Sequence, residues 1–346
     1  METIRVGILG FAHGHVNAYC RRWREDPALG IDVVAGWDAD TQRAVAGCEA
    51  HALHLAGTVD DILGDRSIAA VAIAVETACH AALVEQAAAA GKAVVLQKPL
   101  ALTLDEADRI VAAVQKHRIP FTLAWQMRTD PHNLQVRDLL ADGRFGKVYQ
   151  VRRRHCLSTH LWPDFEKSWH VQPELNRDIF ADDAAHPVDF IYWLLGMPAS
   201  VMAELGTLRN PRIVNDHAIA VFRYRDGTFA EVSCSFAAAG GENCLEILCE
   251  NGIIIGNYGD QATCMLPRPP GGIQLKWFVQ GDTGWTVSDL PDITDQGQRL
   301  GGLAAPLADV LHKRRPPIAN AREGRDVLRM ILACYHAAES GQRINL

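Results

Sequence analysis

A carboxylate and an imidazole stand four residues apart in the segment Asp182-Asp183-Ala184-Ala185-His186. Side chains at positions i and i+4 lie on the same face of a helix, and the apolar residues that follow recur at helical spacing. Because Pro187 is tolerated only near a helix start, we predict a helix that begins close to Asp182 or Asp183. Asp182 and His186 would then point into one cavity, where the carboxylate orients the imidazole of a general base. The alternative is that Asp182 only caps the helix and that His186 is an ordinary interface histidine.

A second candidate for chemistry is Lys98, in the segment Gln97-Lys98-Pro99 that follows an apolar strand. The carboxyl ends of strands in a parallel sheet line the ligand cleft. A lysine there would lie near a nicotinamide ring and could donate to a substrate hydroxyl, lowering the pKa of that hydroxyl. The alternative is an exposed lysine at a strand end.

The elements that must position these residues alternate along the first third of the chain. Helix-like segments run through Trp23 after the first strand and over His80–Ala90, and the strand-like segments are Ile4–Leu9, Ile31–Gly36, Ala69–Val75 and Lys92–Leu96. This alternation predicts a parallel sheet with right-handed crossovers. Ligands of such sheets bind beyond the carboxyl ends of the strands.

The turn after the first strand, Gly10-Phe11-Ala12-His13-Gly14-His15, is where the pyrophosphate of a dinucleotide would lie. Free N–H groups at a helix N-terminus bind anions there, and glycines let the backbone come close. The pattern G-x-G-x-x-G falls on Gly10, Ala12 and His15, although Gly14 is adjacent to the third position. The two histidines of the turn could donate to the phosphates or could be ordinary turn residues.

Asp38 stands at the end of the second strand. An acidic residue at this position accepts hydrogen bonds from ribose hydroxyls and repels a 2′-phosphate, so the sequence favours NAD over NADP. Arg43, on the following helix, could weaken this preference if it reached the phosphate. The alternative for Asp38 is a helix cap before Ala39-Asp40.

Composition limits the class of protein. At 346 residues the chain predicts two domains, and 48% hydrophobic with 22% charged residues is typical of a soluble globular protein. The net charge of −7 argues against a general nucleic-acid binder.

Nine cysteines without a C-x-x-C pair are typical of reduced thiols. No apolar run approaches a membrane span and a strand begins within three residues of Met1, so we expect no signal peptide and a cytoplasmic protein.

Together these segments resemble the Gfo/Idh/MocA oxidoreductase family, over nearly the whole chain. The motifs that carry the resemblance are the first strand and turn, residues 74–80, 89–92, 97–103, 126–128 and 143–148, Asp182-x-x-x-His186-x-x-Asp189 with residues 193–196, and residues 338–342. The family's Glu-Lys-Pro is similar to Gln97-Lys98-Pro99, and its Asp-x-Gly-x-His is similar to residues 182–186. The resemblance therefore implies catalytic roles for Lys98, Asp182 and His186.

The resemblance also implies an α/β architecture with two domains. Residues 1–125 would form an NAD-binding Rossmann domain, and residues 126–346 an α/β domain whose open, mainly antiparallel sheet mediates dimers or tetramers. The strand-like segments agree with this: Val148–His155, Ser200–Leu205, Ala218–Tyr224, Thr228–Ser235 and Cys244–Cys249. The predicted cofactor-binding residues are Gly10, Phe11, Ala12, His13, Gly14, His15, Asp38, Val75, Glu76, His80, Gln97 and Lys98.

The predicted function is an NAD-dependent dehydrogenase of a sugar, cyclitol or sugar-derived polyol. Hydride would pass between the carbinol carbon and C4 of the nicotinamide, His186 would take the hydroxyl proton, Asp182 would hold His186, and Lys98 would hydrogen-bond the reacting oxygen. Further candidate substrate contacts are Arg128, His155, Trp169 and His170. Trp169 could stack on a sugar ring or belong to the core.

Four departures from the family pattern bear on this prediction. Ala12 and His15 replace pyrophosphate glycines, and Glu76-Thr77 replaces a Pro-Asn pair beside the nicotinamide, which introduces a charge near the cofactor. Gln97 replaces a glutamate, and Ala184 replaces a glycine. None of them removes a predicted catalytic side chain.

Three alternatives stay open on the sequence. A glycoside-cleaving enzyme with transient oxidation would need the same NAD site and produce no net NADH. A non-catalytic NAD-binding regulator would need neither the lysine nor the histidine. A metal site on Asp182, His186 and Asp189 fits the spacing, but Asp189 falls on a face shared with the core, so no metal is predicted.

Overall fold

The computed structural model describes residues 3–240, 243–257 and 271–346. The chain divides into two compact units. The first contains residues 1–129, 174–176 and 297–328, and the second contains residues 130–173, 177–296 and 329–346. The second unit thus starts within a few residues of the expected boundary after residue 125, but residues 297–328 return to the first unit.

The first unit contains a six-stranded parallel sheet with the order β3-β2-β1-β4-β5-β6. Its strands are β1 Ile4–Leu9, β2 Ile31–Trp37, β3 His54–Leu55, β4 Ala70–Ile73, β5 Ala93–Leu96 and β6 Phe121–Leu123. All four residues of β4 are buried, as expected for a strand covered on both faces. This strand order is that of the dinucleotide-binding Rossmann fold, so the predicted parallel domain is confirmed.

Twelve α-helices are present in the described part of the chain. They are α1 His15–Glu25, α2 Thr41–His51, α3 Val59–Leu63, α4 His80–Ala89, α5 Leu104–His117, α6 Pro131–Ala141, α7 Pro173–Asn176, α8 Ile179–Asp183, α9 Ala185–Leu195, α10 Gln296–Gly301, α11 Ala304–Leu311 and α12 Ala321–Ser340. Local sequence sets several starts. Thr103 and Glu106, for example, form a reciprocal capping box at the start of α5. None of the described helices has the length and apolar character needed to cross a membrane.

Side-chain contacts explain why residues 297–328 belong to the first unit. The indole N–H of Trp23 on α1 donates to the Ala304 carbonyl at 2.8 Å, and α11 packs against α1. Further along, the Leu123 N–H in β6 donates to the Ala319 carbonyl at 2.8 Å. The segment therefore covers the helix that follows β1 and bonds to the edge strand of the sheet.

The second unit contains a nine-stranded sheet with the order β14-β13-β12-β11-β7-β10-β9-β8-β15. Its strands are β7 Val148–Cys156, β8 Ser200–Gly206, β9 His217–Arg223, β10 Phe229–Ser235, β11 Cys244–Cys249, β12 Gly252–Asn257, β13 Leu275–Val279, β14 Thr286–Val287 and β15 Ile344–Asn345. Among the described strands of this sheet, β7 and β10 pair in parallel and the other pairs are antiparallel. The predicted mainly antiparallel sheet is therefore confirmed.

One face of this sheet is covered by helix α9, which packs against β7 and β10. On β11, Leu245, Ile247 and Cys249 are buried while the residues between them are half-buried. The alternation follows from the pleat, which points successive side chains to opposite faces. Two of the candidate histidines of the second unit, His155 on β7 and His186 on α9, come from the two layers that meet here.

Candidate active site

The turn after β1 is shaped by one obligatory glycine. Gly10 has φ +93°, and a Cβ added to it would lie 2.3 Å from Val75 Cγ1 and 2.7 Å from the Val75 backbone nitrogen. Only glycine allows this conformation and this approach to the end of β4. Gly14, the N-cap of α1, would by contrast place a Cβ with no atom within 4 Å. The space at the N-terminus of α1 is therefore open, which suits a pyrophosphate.

The other residues of this turn are packed inside the first unit. Phe11 is buried, and added Cβ atoms at Gly36 and Gly47 would lie within 2.7 Å of its ring. The His13 N–H donates to the Ala74 carbonyl at 2.9 Å, and the ring of His13 contacts that of His15 edge-on at 4.3 Å. These contacts give both histidines a place in the packing of the turn. Their donation to phosphates stays a prediction.

Asp38 lies at the end of β2 as the sequence predicts, and it is buried. Its Oδ2 accepts from the Phe11 N–H at 2.7 Å and from Arg43 Nε at 2.8 Å, and its Oδ1 accepts from the Asp40 N–H at 2.9 Å and from Arg43 Nη2 at 2.7 Å. Burial would raise the pKa of Asp38, but these hydrogen bonds outweigh it and hold the pKa below its ordinary value. The N-cap of α2 is Asp40, so the interpretation of Asp38 as the cap is wrong.

His80 joins the end of β4 to the loop that carries Lys98. Its Nδ1 lies 3.0 Å from the Pro99 carbonyl oxygen, and its Nε2 lies 3.3 Å from the Val75 carbonyl oxygen. Burial lowers the pKa of His80 to about 4, although the surrounding carbonyl oxygens favour the charged form. The imidazole is therefore neutral at pH 7 and positions the backbone on either side of it.

Lys98 follows β5 and is only 2% exposed, so the interpretation as an exposed strand-end lysine is wrong. The Lys98–Pro99 peptide bond is cis. The preceding residue, Gln97, is also buried, and its Nε2 donates to the Tyr19 hydroxyl at 3.0 Å. Both side chains stand beyond the carboxyl end of a parallel strand, where ligands bind in this class of sheet.

In the second unit the helix around Asp182 differs from the expected one. Helix α8 begins at Ile179, with Asp178 as its N-cap accepting from the Ala181 N–H at 2.9 Å. It meets α9 at Ala184, so Asp182 and His186 lie on two consecutive helices and the prediction of one helix starting near Asp182 is wrong. Because Asp178 is the cap, the interpretation of Asp182 as a cap is also wrong. Pro187 is the third residue of α9, which confirms its place near a helix start.

Asp182 is paired with an imidazole, and the partner is His170. Nδ1 of His170 lies 2.7 Å from Asp182 Oδ2, and the side chain of Asp182 is 2% exposed. The ring of Trp169 stacks on His170 at 3.9 Å. A buried carboxylate that holds an imidazole in this way fixes the tautomer and the ring orientation of that imidazole.

His186 lies beside His155, with 5.9 Å between the ring centroids, and both residues are buried. The Nε2 atom of His186 is 3.7 Å from Asp183 Oδ1. His155 also contacts the ring of Phe236 at 6.4 Å. The second unit thus holds two pairs, His170 with Asp182 and His155 with His186, which the segment from residue 182 to residue 186 connects.

Two family models match this chain. The model described as the oxidoreductase family with an NAD-binding Rossmann fold matches residues 4–124, and the GFO/IDH/MocA C-terminal domain matches residues 133–255. The chain belongs to the Gfo/Idh/MocA oxidoreductase family. The predicted NAD cofactor and oxidoreductase class are thereby confirmed.

Named relatives of this family member act on small polyhydroxylated molecules. A 1,5-anhydro-D-fructose reductase of Ensifer adhaerens is 24% identical over 319 residues, which cover 91% of each chain. An inositol 2-dehydrogenase of Rhizobium meliloti is 31% identical over 211 residues, 60% of this chain and 59% of the relative. The structure of a levoglucosan dehydrogenase in complex with NADH and levoglucosan is 19% identical, with a TM-score of 0.86 over 99% of both chains. This last likeness shows that the fold is shared.

Arg128 is the predicted substrate contact whose surroundings are most clearly structural. It is buried in the first unit, where its Nη1 donates to the Ile318 carbonyl at 3.2 Å and pairs with Glu323 at 2.8 Å. Its guanidinium also lies 5.6 Å from the centre of the Trp125 ring. These contacts hold residues 297–328 in place, and contact of Arg128 with a substrate stays a prediction.

Two groups of side-chain contacts in this family member were not predicted from the sequence. Arg43 pairs with Glu76 at 2.8 Å, 33 residues away in the chain, which places Glu76 next to Asp38, the predicted ribose residue, rather than in the expected position beside the nicotinamide. Asp178 accepts from the Tyr335 hydroxyl and from Asn215 Nδ2. Asp178 has the position of an N-cap, immediately before the apolar first turn of α8, and that signal could have found it. The partners could not be found, because no local pattern links residues so far apart.

The remaining alternative is a metal site on Asp182, His186 and Asp189. Within the described residues, no group of three or more His, Cys, Asp and Glu side chains is arranged to hold a metal ion. Asp182, His186 and Asp189 therefore do not form such a group. The side chain of Asp189 is buried in α9, as the sequence reading expected.

Proposed function

We propose that this protein transfers hydride between NAD and a hydroxyl-bearing carbon of a sugar, cyclitol or sugar-derived polyol. The observation that carries the proposal is the buried carboxylate–imidazole pair of Asp182 and His170, at 2.7 Å, in the second unit of an NAD-binding chain. The names of the relatives, which include an inositol dehydrogenase and an anhydrofructose reductase, support this substrate class.

The proposal also assigns the reaction to the cytoplasm. Eight described cysteines without disulfide bonds support a reducing compartment.

The first unit supplies the residues that would hold the cofactor. The open N-terminus of α1 at Gly14 suits the pyrophosphate, and Asp38 suits the adenosine ribose. When bound, NAD supplies a nicotinamide ring that accepts or returns the hydride. Lys98 is assigned the hydrogen bond to the reacting oxygen, since a buried ammonium is a strong donor to an oxygen that gains negative charge.

The second unit supplies the proton acceptor. In this proposal, His186 takes the hydroxyl proton during oxidation and returns it during reduction. Asp182 orients the nearby imidazole of His170 directly and is proposed to support His186. The hydrogen bond from His170 to Asp182 supports a second assignment, in which His170 is the base and His186 positions the substrate. In both assignments the imidazole lies near a carboxylate: Asp183 Oδ1 is 3.7 Å from His186 Nε2, and Asp182 Oδ2 is 2.7 Å from His170 Nδ1.

Trp169 is proposed as a substrate contact as well. One face of its ring covers His170, and the residue is only half-buried. An indole face of this kind packs against the C–H face of a sugar ring. His155, next to His186, is assigned a hydrogen bond to a substrate hydroxyl.

The proposal is tested by incubating the full-length protein with NAD and a panel of levoglucosan, myo-inositol and other polyols, while NADH and the organic product are both quantified. Equal amounts of NADH and oxidised product support the dehydrogenase. Cleavage of a glycoside without net NADH would favour the glycoside-cleaving alternative. Binding of NAD without turnover of any tested polyol would favour the regulator.

A further inference from the structure

Arg43 is held between two carboxylates in the first unit. Its Nε and Nη2 atoms donate to the two oxygens of Asp38, and Nη2 also donates to Glu76 Oε1 at 2.8 Å. The side chains of Asp38, Glu76 and Arg43 are 0%, 15% and 28% exposed. The pair with Glu76 is therefore only weakly screened by solvent, unlike a surface ion pair.

The carboxylate of Asp38 has no lone pair left in this arrangement. A carboxylate has about four acceptor positions, and four donors occupy them: the N–H groups of Phe11 and Asp40 and two nitrogens of Arg43. A ribose hydroxyl can therefore bond to Asp38 only where a donor withdraws. The backbone donors are fixed by the turn and by the start of α2, so the donor that can move is the side chain of Arg43.

Glu76 stays paired with the guanidinium of Arg43 when a ribose hydroxyl displaces that guanidinium from Asp38. Arg43 bonds the carboxylate that is expected to receive the ribose, so it is placed to meet a 2′-phosphate in this site. A guanidinium is well suited to bind phosphate through two parallel hydrogen bonds. With both carboxylates present the three side chains carry a net charge of −1, which opposes a phosphate.

We propose that Glu76 is a cofactor-specificity residue, which retains Arg43 and thereby makes the ribose site reject NADP. The first reason is that Glu76 competes directly with a phosphate for the same guanidinium nitrogen. The second is that its own charge repels the phosphate. The inference rests on the binding of NAD by the first unit and is independent of the identity of the substrate.

Glu76→Gln tests this inference, with dissociation constants for NAD and NADP measured by calorimetry on the full-length protein. The substitution keeps the size of the side chain and removes one charge. We expect the affinity for NADP to increase about tenfold and the affinity for NAD to change less. The ratio of the NADP to the NAD dissociation constant should therefore fall. Glu85→Gln is the matched control, because Glu85 is also paired with an arginine, Arg109, and is more exposed.

A second variant separates release of Arg43 from simple loss of charge. In the double variant Arg43→Met with Glu76→Gln, the gain in NADP affinity should disappear, because the released guanidinium is no longer there. The inference would be overturned if the gain in NADP affinity were equal with and without Arg43. It would also be overturned if the ratio of the NADP to the NAD dissociation constant were the same in Glu76→Gln as in Glu85→Gln. Failure of the unmodified protein to bind NAD would overturn the cofactor assignment as well, and the two failures are thereby distinguished.

Discussion

At the scale of single residues, the central question is which histidine accepts the proton. If His186 is the base, His186→Ala should lower turnover on the order of 10²–10⁴-fold while NAD still binds. Lys98→Met should lower turnover at least as much, because it removes the donor to the reacting oxygen. His336→Ala, an exposed histidine on α12, is the control and should be silent. A larger loss in His170→Ala than in His186→Ala, measured by steady-state kinetics, would transfer the role of base to His170.

Asp182 gives a separate prediction at this scale. Its carboxylate accepts from His170 at 2.7 Å and does not cap a helix, since Asp178 is the cap of α8. Asp182→Asn should therefore reduce turnover, because an amide can present a donor to the imidazole and select the wrong tautomer. The loss should be smaller than that in the variant without the base. Unchanged kinetics in Asp182→Asn would remove the carboxylate from the mechanism.

His80 links pH to the stability of the protein. Its pKa is lowered from 6.5 to about 4 by burial, so the unfolded state binds more protons and stability is lost as the pH falls below 6.5 towards 4. This single group should reduce the free energy of unfolding by about 2 kcal/mol at pH 5 relative to pH 7. In His80→Gln that part of the decrease should be absent. Denaturant titrations of both proteins at the two pH values measure it, and equal decreases in the two proteins would contradict it.

At the scale of elements, the position of α8 depends on one buried cluster. Burial raises the pKa of Asp178, and the hydrogen bonds from Tyr335, Ala181 and Asn215 counteract this. Tyr335→Phe should destabilise the protein by about 1–3 kcal/mol, because a buried carboxylate loses a donor. Tyr149→Phe, at an exposed position in β7, is the control. Equal free energies of unfolding for the two variants would show that the cluster does not hold α8.

The elements themselves were largely predictable, and their long-range contacts were not. Short apolar runs predicted β1 and β11 with the bounds that the structure has, because a strand pattern is local. The break at Ala184 was missed, because the predicted helix started at Asp182 or Asp183 and the short helix α8, of five residues, was not predicted. The partner of Asp182 was likewise missed, because His170 lies in a 3₁₀ turn, Trp169–Val171, that has no helical or strand periodicity.

At the scale of the whole molecule, exposed apolar residues on one face of the nine-stranded sheet predict self-association. Met202, Ile219 and Phe229 lie on this face, and each is 43–45% exposed. Apolar patches of this kind on a sheet mark interfaces between chains. We expect a homodimer or homotetramer by light scattering at micromolar concentration. Ile219→Asp should weaken the assembly, whereas Leu55→Asp, at a similarly exposed site in β3, should not. A monomeric unmodified protein would contradict this prediction.

The return of residues 297–328 to the first unit also belongs to this scale. The chain leaves the first unit and comes back to bond Trp23 through the Ala304 carbonyl. The local sequence of this segment does not say which core it covers. The second unit starts within a few residues of the expected boundary after residue 125, and residues 297–328, expected in the second domain, group with the first unit.

The central claim is direct hydride transfer between a polyol carbon and NAD, and isotope transfer tests it most directly. A polyol accepted in the panel assay is prepared with deuterium on the carbinol carbon and incubated with NAD and the full-length protein. The account predicts that the NADH formed carries the deuterium at C4 of the nicotinamide ring, as mass spectrometry of the isolated cofactor would show. Deuterium retained in the product or lost to water, with unlabelled or absent NADH, would contradict it.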